Sequence, residues 1–196
     1  EINMGKTVFM FPGQGAQYIG MAKDFDAIPE CREVFEEASE ASGLDIAALC
    51  FEENDKINIT EYTQICMLTA ELDLRALEVK GYKADVTAGL SLGEYGALIA
   101  CGALSRKDAF ALVRKRGIYM QEAVPEGGAM GSQSWHWIPR RLRKPEKTEG
   151  IVSIANYNCP GQIVITGEEN RAAAGELCKE AGAKRVVPLK VSGPFH

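Results

Sequence analysis

The run Gly89-Leu90-Ser91-Leu92-Gly93 offers the clearest chemistry in this chain. Asp85–Gly89 reads as a short buried strand leading into it, and Glu94–Cys101 as a helix of small residues leading out. Gly-x-Ser-x-Gly between a strand and a helix is the nucleophile-elbow pattern. The turn is so tight that both flanking positions must lack a side chain, and it lifts the serine hydroxyl to a helix N-terminus. Backbone N–H groups and the helix dipole favour developing negative charge there. Ser91 is therefore the candidate nucleophile, and the Leu92 N–H a candidate donor to a tetrahedral intermediate. An unassisted serine is a poor nucleophile at neutral pH and needs a base within hydrogen-bond reach. The chain holds two histidines, His136 and His196. His136 lies in a stretch that fits no regular element, which leaves His196.

A second charged group stands out by its surroundings. Arg116 sits inside an otherwise apolar helical pattern, where it is either a snorkelling charge or a planar fork for a carboxylate. Gly13-Gln14-Gly15 resembles a dinucleotide-binding loop only superficially. The spacing to Gly20 is wrong, and no later acidic partner follows.

Elements of alternating type must position these groups. Thr7–Phe11 is an apolar strand, and helical periodicity covers Pro29–Ser42, Tyr62–Val79, Ser91–Cys101, Lys107–Ala123 and Glu168–Ala181. Gly43, Gly81, Gly102 and Gly182 stand where C-cap glycines are expected. Strands alternating with helices predict a parallel α/β sheet in the first part. Pro125-Glu126-Gly127-Gly128 reads as a linker. Ile151–Tyr157, Gln162–Thr166 and Lys184–Pro188 follow as strands, the first two joined by a hairpin turn at Asn158-Cys159-Pro160-Gly161. A strand and helix across 129–148 would complete a βαββαβ unit. The residues there disagree: Ser132–Pro145 carries both tryptophans, two prolines and a basic cluster. Read literally, it suggests nucleic-acid or carrier binding. Codons exist for Gln133–Lys144 that, read one base earlier, encode an apolar strand, an Asp cap and a helix start, so the segment is compatible with a local frame shift, which is the reading expected here.

Phe11-Pro12-Gly13-Gln14-Gly15-Ala16-Gln17, Thr60-Glu61-Tyr62-Thr63-Gln64, Ser91-Leu92-Gly93-Glu94-Tyr95, Arg116-Gly117 with Met120-Gln121, and Gly193-Pro194-Phe195-His196 occur in that order. Together they resemble the malonyl-CoA:acyl carrier protein transacylases, the acyltransferases of fatty acid synthesis, with related domains in polyketide synthases. The resemblance runs from Lys6 to His196 and implies an α/β fold. Its large domain is α/β-hydrolase-like, with a short parallel sheet and nucleophile elbow, and carries an inserted ferredoxin-like α+β subdomain. It places the large subdomain at 4–126, the small one at 127–190 and a return to the large one at 191–196. It implies a Ser91–His196 dyad, with the histidine oriented by backbone carbonyls from a later segment. The Gln14 N–H becomes the second oxyanion donor beside Leu92. Arg116 becomes the carboxylate ligand of a malonyl group, and Gln64, Met120 and Phe195 line the acyl pocket. A Phe before the histidine goes with malonyl, since the ring leaves no room for an α-methyl. The implied reaction passes malonyl from malonyl-CoA to the phosphopantetheine thiol of acyl carrier protein through an acyl-serine. No cofactor is needed, because the CoA thioester is a substrate. Two departures stand out: Leu90 replaces the histidine usual before the nucleophile, and the family continues beyond the point matching His196. An α/β-hydrolase-like esterase or thioesterase, and an inactive truncated fragment, are the competing readings.

Composition bounds the rest. The chain has 196 residues, 46% of them apolar, enough for a real core. A net charge of −5 argues against nucleic acid as the main partner, though not against an acidic carrier. No apolar run reaches membrane-spanning length. Six scattered cysteines without a Cys-x-x-Cys pair point to reduced, mostly buried thiols and no metal site. These features predict a cytoplasmic protein, and a monomer is expected. Met4 reads as the natural start, with Glu1-Ile2-Asn3 an added remnant.

Overall fold

The computed structural model describes residues 5–123, 128–134, 152–168, 178–180, 182–189 and 195–196. It divides into two compact units, Glu1–Tyr119 and Met120–His196.

In the first unit, β1 (Val8–Phe11) pairs in parallel with β2 (Val86–Gly89), in a register that sets Val8 opposite Val86 and Phe11 opposite Gly89. The strands therefore end level with one another. Leu90 N–H donates to the Phe11 carbonyl at 3.1 Å, one step beyond the ladder. The loops leaving both strands emerge at the same end of the sheet, where ligands bind in parallel α/β folds.

Helices supply the core. α1 (Pro29–Ser42) keeps the predicted bounds and buries Cys31, Val34, Phe35 and Ala38 on one stripe. α2 (Ile46–Phe51) is too short for periodicity to reveal. Asp45 caps it by accepting from the Ala48 N–H at 2.9 Å. α3 (Thr60–Glu71) is buried on nearly every side from Thr60 to Thr69, which makes it the central helix of the unit. The helix expected over Tyr62–Val79 is broken: a 3-10 turn at Leu72–Leu74 separates α3 from α4 (Arg75–Val79). α5 (Gly93–Ala100) starts two residues later than expected, because Ser91 and Leu92 form the turn. Ser105 caps α6 (Arg106–Ala123), accepting from the Asp108 N–H at 3.1 Å and donating to its carboxylate at 2.6 Å. Gly43, Gly81 and Gly102 all have positive φ at helix or turn ends, as predicted.

The second unit is a four-stranded antiparallel sheet in the order β4-β5-β3-β6. Its strands are β3 (Gly128–Ser134), β4 (Val152–Cys159), β5 (Gln162–Glu168) and β6 (Arg185–Pro188). β3 supplies the strand that the βαββαβ pattern required, and it runs into the start of the aromatic-basic stretch. The rest of that stretch lies outside the described residues, as does most of the predicted Glu168–Ala181 helix. A small cluster of Ile163, Cys178 and Ala183 packs with Ile165 and Val186. All six cysteines are free, and Cys31, Cys50, Cys66 and Cys178 are buried. Among the described residues, no His/Cys/Asp/Glu group could hold a metal ion. None of the described helices is long and apolar enough to cross a membrane.

The break after α3 carries two buried carboxyl groups, Glu71 and Asp73, whose oxygens have no hydrogen-bond partner. Burial raises Glu71 from 4.5 to about 8 and Asp73 from 3.8 to about 7. The folded chain thus holds protons that the unfolded chain releases above pH 4–5. Stability should fall as pH rises from 5 toward 8, by up to about 1.4 kcal/mol per pH unit for each group. Urea midpoints across that range measure the slope, and Glu71→Gln should flatten it; an unchanged slope would assign the effect elsewhere.

Candidate active site

Ser91 stands at the head of the elbow with φ of 55°, a left-handed conformation that a non-glycine residue adopts only under constraint. The constraint is visible on both sides. A Cβ at Gly89 would lie 2.1 Å from the Gly93 carbonyl oxygen, and one at Gly93 would lie 2.2 Å from the Phe11 carbonyl oxygen. Neither neighbour is a movable side chain, so only glycine fits at either position. Leu92 is fully buried in the main core, and its side chain pins the turn from below. Ser91 itself is half-buried.

The Gly13 turn lies against the elbow. A Cβ on Gly13 would meet the Leu90 carbonyl oxygen at 2.8 Å, so the loop after β1 and the turn after β2 touch backbone to backbone. This brings Gln14 beside the Ser91 turn, at the end of the sheet where the parallel register puts both loops.

A chain of side-chain hydrogen bonds then runs across the unit. Arg116 donates through Nη2 to Ser91 Oγ at 3.1 Å and through Nη1 to Gln64 Oε1. Gln64 Nε2 donates to Gln14 Oε1 at 2.7 Å, and Gln14 Nε2 donates to Thr60 Oγ1 at 3.1 Å. The contact between α3 and α6 that allows this depends on Gly117. A Cβ there would sit 3.0 Å from Glu61 Cα and 3.2 Å from Gln64 Cβ. The same helix pair is tied one turn away by Arg114, which donates to the Glu61 carbonyl at 2.8 Å and pairs with its carboxylate at 3.3 Å. Arg116 also lies over the Tyr95 ring, 5.8 Å from its centroid. Burial pulls the Arg116 pKa below its ordinary value, opposed by Tyr95 and Glu94. The guanidinium remains charged, because its pKa starts far above neutrality.

Of the residues picked from the sequence, Ser91, Leu92, Gln14, Gln64 and Arg116 are assembled in the first unit. Met120 opens the second unit, one turn beyond Arg116 on α6, and is half-buried. Phe195 and His196 also belong to the second unit, Phe195 half-buried and His196 exposed with φ of 59°. Sequence reasoning did not single out Tyr95, though Glu94-Tyr95 closes the elbow motif. It also gave no role to Thr60 or to the Gln14 side chain. A partly buried arginine bonded to a strained serine can hold an acyl group that bears its own carboxylate. The turn behind the serine can accept charge during acyl transfer.

The family of acyl transferase domains matches residues 8–192. The malonyl CoA-acyl carrier protein transacylase of Bacillus subtilis is 45% identical over 201 residues, which cover 98% of this chain and 63% of that protein. A Staphylococcus aureus protein of the same name is 42% identical over 98% of the chain and 65% of its own length. Among solved structures, the Clostridium perfringens transacylase superposes with a TM-score of 0.87 at 45% identity, covering 98% of this chain and 63% of that one. A malonyl-transacylase in complex with a type II polyketide synthase acyl-carrier protein gives 0.88 at 42% identity, covering 97% and 64%. The chain thus spans a little under two thirds of these relatives.

The glycine requirement gives a direct test. Gly117→Ala should push α6 off α3 by a few tenths of an ångström and stretch the Arg116–Gln64 bond. A stability loss of about 1–3 kcal/mol is expected from overpacking. Gly93→Ala should cost more, since its Cβ would meet the Phe11 backbone at 2.2 Å, against 3.0 Å for the nearest atom at Gly117. Denaturant midpoints that rank the two variants the other way would contradict this geometry.

Proposed function

The chain belongs to the acyl transferase domain family, and from that premise we propose that it carries the nucleophile and carboxylate-binding site of a malonyl transferase. The observation that carries this reading is Arg116, half-buried and donating to Ser91 Oγ at 3.1 Å. A malonyl group bears a free carboxylate two bonds beyond its thioester carbonyl, and an acetyl group does not. A guanidinium beside the nucleophile is the recognition element that separates them.

In the proposed ping-pong cycle, Ser91 Oγ attacks the thioester carbonyl of malonyl-CoA and gives its proton to His196. The resulting oxyanion is held by the N–H groups of Gln14 and Leu92. The intermediate collapses by breaking the C–S bond, and the CoA thiolate leaves with the proton from His196. The phosphopantetheine thiol of acyl carrier protein then attacks the malonyl-serine, its proton passing to His196 and on to Ser91. Met120 and Phe195 line the acyl pocket, and the Phe195 ring selects against an α-methyl. The names of the relatives, and the malonyl-transacylase solved together with its acyl-carrier protein, support this substrate and partner. No cofactor takes part, since the thioester supplies the activated acyl group. An esterase using the same elbow has no use for the arginine.

Two finer readings of the architecture go with it. The β1–β2 pair with its elbow is the start of an α/β-hydrolase-like large subdomain spanning 4–126, to which 191–196 returns. Residues 127–190 are a ferredoxin-like insertion, supported by the strand order β4-β5-β3-β6, which is that of a βαββαβ unit. The enzyme is read as a cytoplasmic monomer with no nucleic-acid or membrane partner.

Incubation with malonyl-CoA should add one malonyl mass to the intact protein. Ser91→Ala should abolish the adduct while leaving the fold unchanged; persistence of the increment would refute Ser91 as nucleophile. Arg116→Ala should lower kcat/KM for malonyl-CoA about 10- to 100-fold, the value of one or two charge-assisted bonds. Acetyl transfer should hold or rise, and Arg116→Lys should rescue poorly because an ammonium cannot reproduce the fork. Equal losses for the two acyl groups would make Arg116 structural and remove the malonyl assignment.

A further inference from the structure

An arginine can only donate hydrogen bonds. That fact gives the side-chain network a direction. Because Arg116 Nη1 donates to Gln64, the Gln64 amide must turn its oxygen toward the guanidinium and its NH2 group away. The NH2 group then needs an acceptor, found at Gln14 Oε1, 2.7 Å away. Gln14 is fixed in turn with its oxygen toward Gln64 and its own NH2 toward Thr60 Oγ1 at 3.1 Å. Each amide has one orientation that satisfies both neighbours, and the opposite one would set donor against donor. Gln64 is 1% exposed and Thr60 0%, so water does not readily replace a lost partner.

Resting on the malonyl-transfer reading, we infer that Thr60 is a positioning residue for acyl selectivity: its hydroxyl oxygen anchors the far end of the Gln14–Gln64 relay, whose other end holds the Arg116 fork. Thr60 reaches the guanidinium through the described bonds of Gln14 and Gln64. It acts through two side chains, one of them on the residue whose backbone N–H is the proposed oxyanion donor. The position suits that task. Thr60 is the first residue of α3, held by helix geometry, whereas Gln14 lies on the loop that follows β1.

Thr60→Val keeps the shape and removes the acceptor. The Gln14 amide loses its anchor on α3, so its oxygen holds the Gln64 NH2 less firmly. Gln64 in turn grips the Arg116 fork less tightly. Thr60→Ser retains the acceptor and should behave as wild type. The measurement is kcat/KM for malonyl-CoA and acetyl-CoA in wild type, Thr60→Val and Thr60→Ser, each with Arg116 intact and with Arg116→Ala. The malonyl-to-acetyl ratio should fall about tenfold in Thr60→Val, return in Thr60→Ser, and show no dependence on Thr60 once Arg116 is absent. A ratio unchanged by Thr60→Val, or an equal drop in both Arg116 backgrounds, overturns the inference.

A readout without turnover separates its failure from failure of the malonyl reading. In 15N spectra, Thr60→Val should shift the Gln14 and Gln64 side-chain amide signals together with the Arg116 Nε–H signal, and Thr60→Ser should leave all three in place. If the wild type transfers neither acyl group, the malonyl reading falls and the positioning role is judged on these spectra alone. An Arg116 signal that stays put in Thr60→Val sinks it.

Discussion

The site depends on one steric fact: at Gly89 and Gly93 the backbone of the elbow passes so close to other backbone that not even a methyl group fits. Gly93 meets the carbonyls of Phe11 and Pro12, the last residues before the Gly13 turn. The closeness of the two loops is therefore built into main-chain contact rather than side-chain packing. The parallel register of β1 and β2 ends both strands at one level. Glycine then lets the chain of one loop lie on the other. Ser91 is left with φ of 55°, strain that the surrounding contacts enforce, and its hydroxyl accepts from Arg116 Nη2. Anything that relaxed the contact would let the serine fall back into ordinary geometry and lose its place at the start of α5.

Electrostatics and packing meet at Arg116. Placing a guanidinium in a half-buried site is costly unless its donors are satisfied. Here Gln64, Ser91 and the Tyr95 face share that work. Glycine at position 117 is what lets α6 come near enough to α3 for the first of these bonds. The Arg-Gly pair is thus one device: the arginine carries the charge, and the glycine sets its distance from Gln64.

Much of this was legible in the residues. The elbow and the cap glycines followed from patterns whose cause is local, and local causes survive folding. The strand before the elbow is present over Val86–Gly89, but it is largely exposed in the described residues rather than buried as its apolar run predicted. The unbroken helix over Tyr62–Val79 was misread, because apolar periodicity continues through Leu72 and Leu74 while the backbone tightens into a 3-10 turn. Nothing in the spacing reveals that Glu71 and Asp73 go into the interior, since carboxylates ordinarily mark an exposed face. α2 escaped because six residues are too few to show a period. In the second unit β3 was expected from the βαββαβ pattern and not from its own residues, and it is present. Gln14 and Gln64 were picked by resemblance. The bond between them was invisible, because it joins residues 50 positions apart and depends on amide orientation.

Under the proposed reaction, the bond between Arg116 and Ser91 also has a kinetic meaning. The guanidinium donates to the serine oxygen at 3.1 Å, which draws on the lone pairs the proposed nucleophile needs for attack. A malonyl carboxylate is a stronger acceptor than a neutral hydroxyl, so its arrival competes for the same Nη2 group. Recognition of the right acyl group and release of the nucleophile then become a single exchange of hydrogen bonds. An acetyl group, with no carboxylate to offer, leaves the arginine where it is and meets a serine still engaged. Discrimination follows from two causes acting together, an interaction gained by malonyl and a resting contact that acetyl cannot displace. The second cause requires that Arg116 be held at a fixed place while it changes partners, and the Gln64 bond on its other nitrogen supplies that hold.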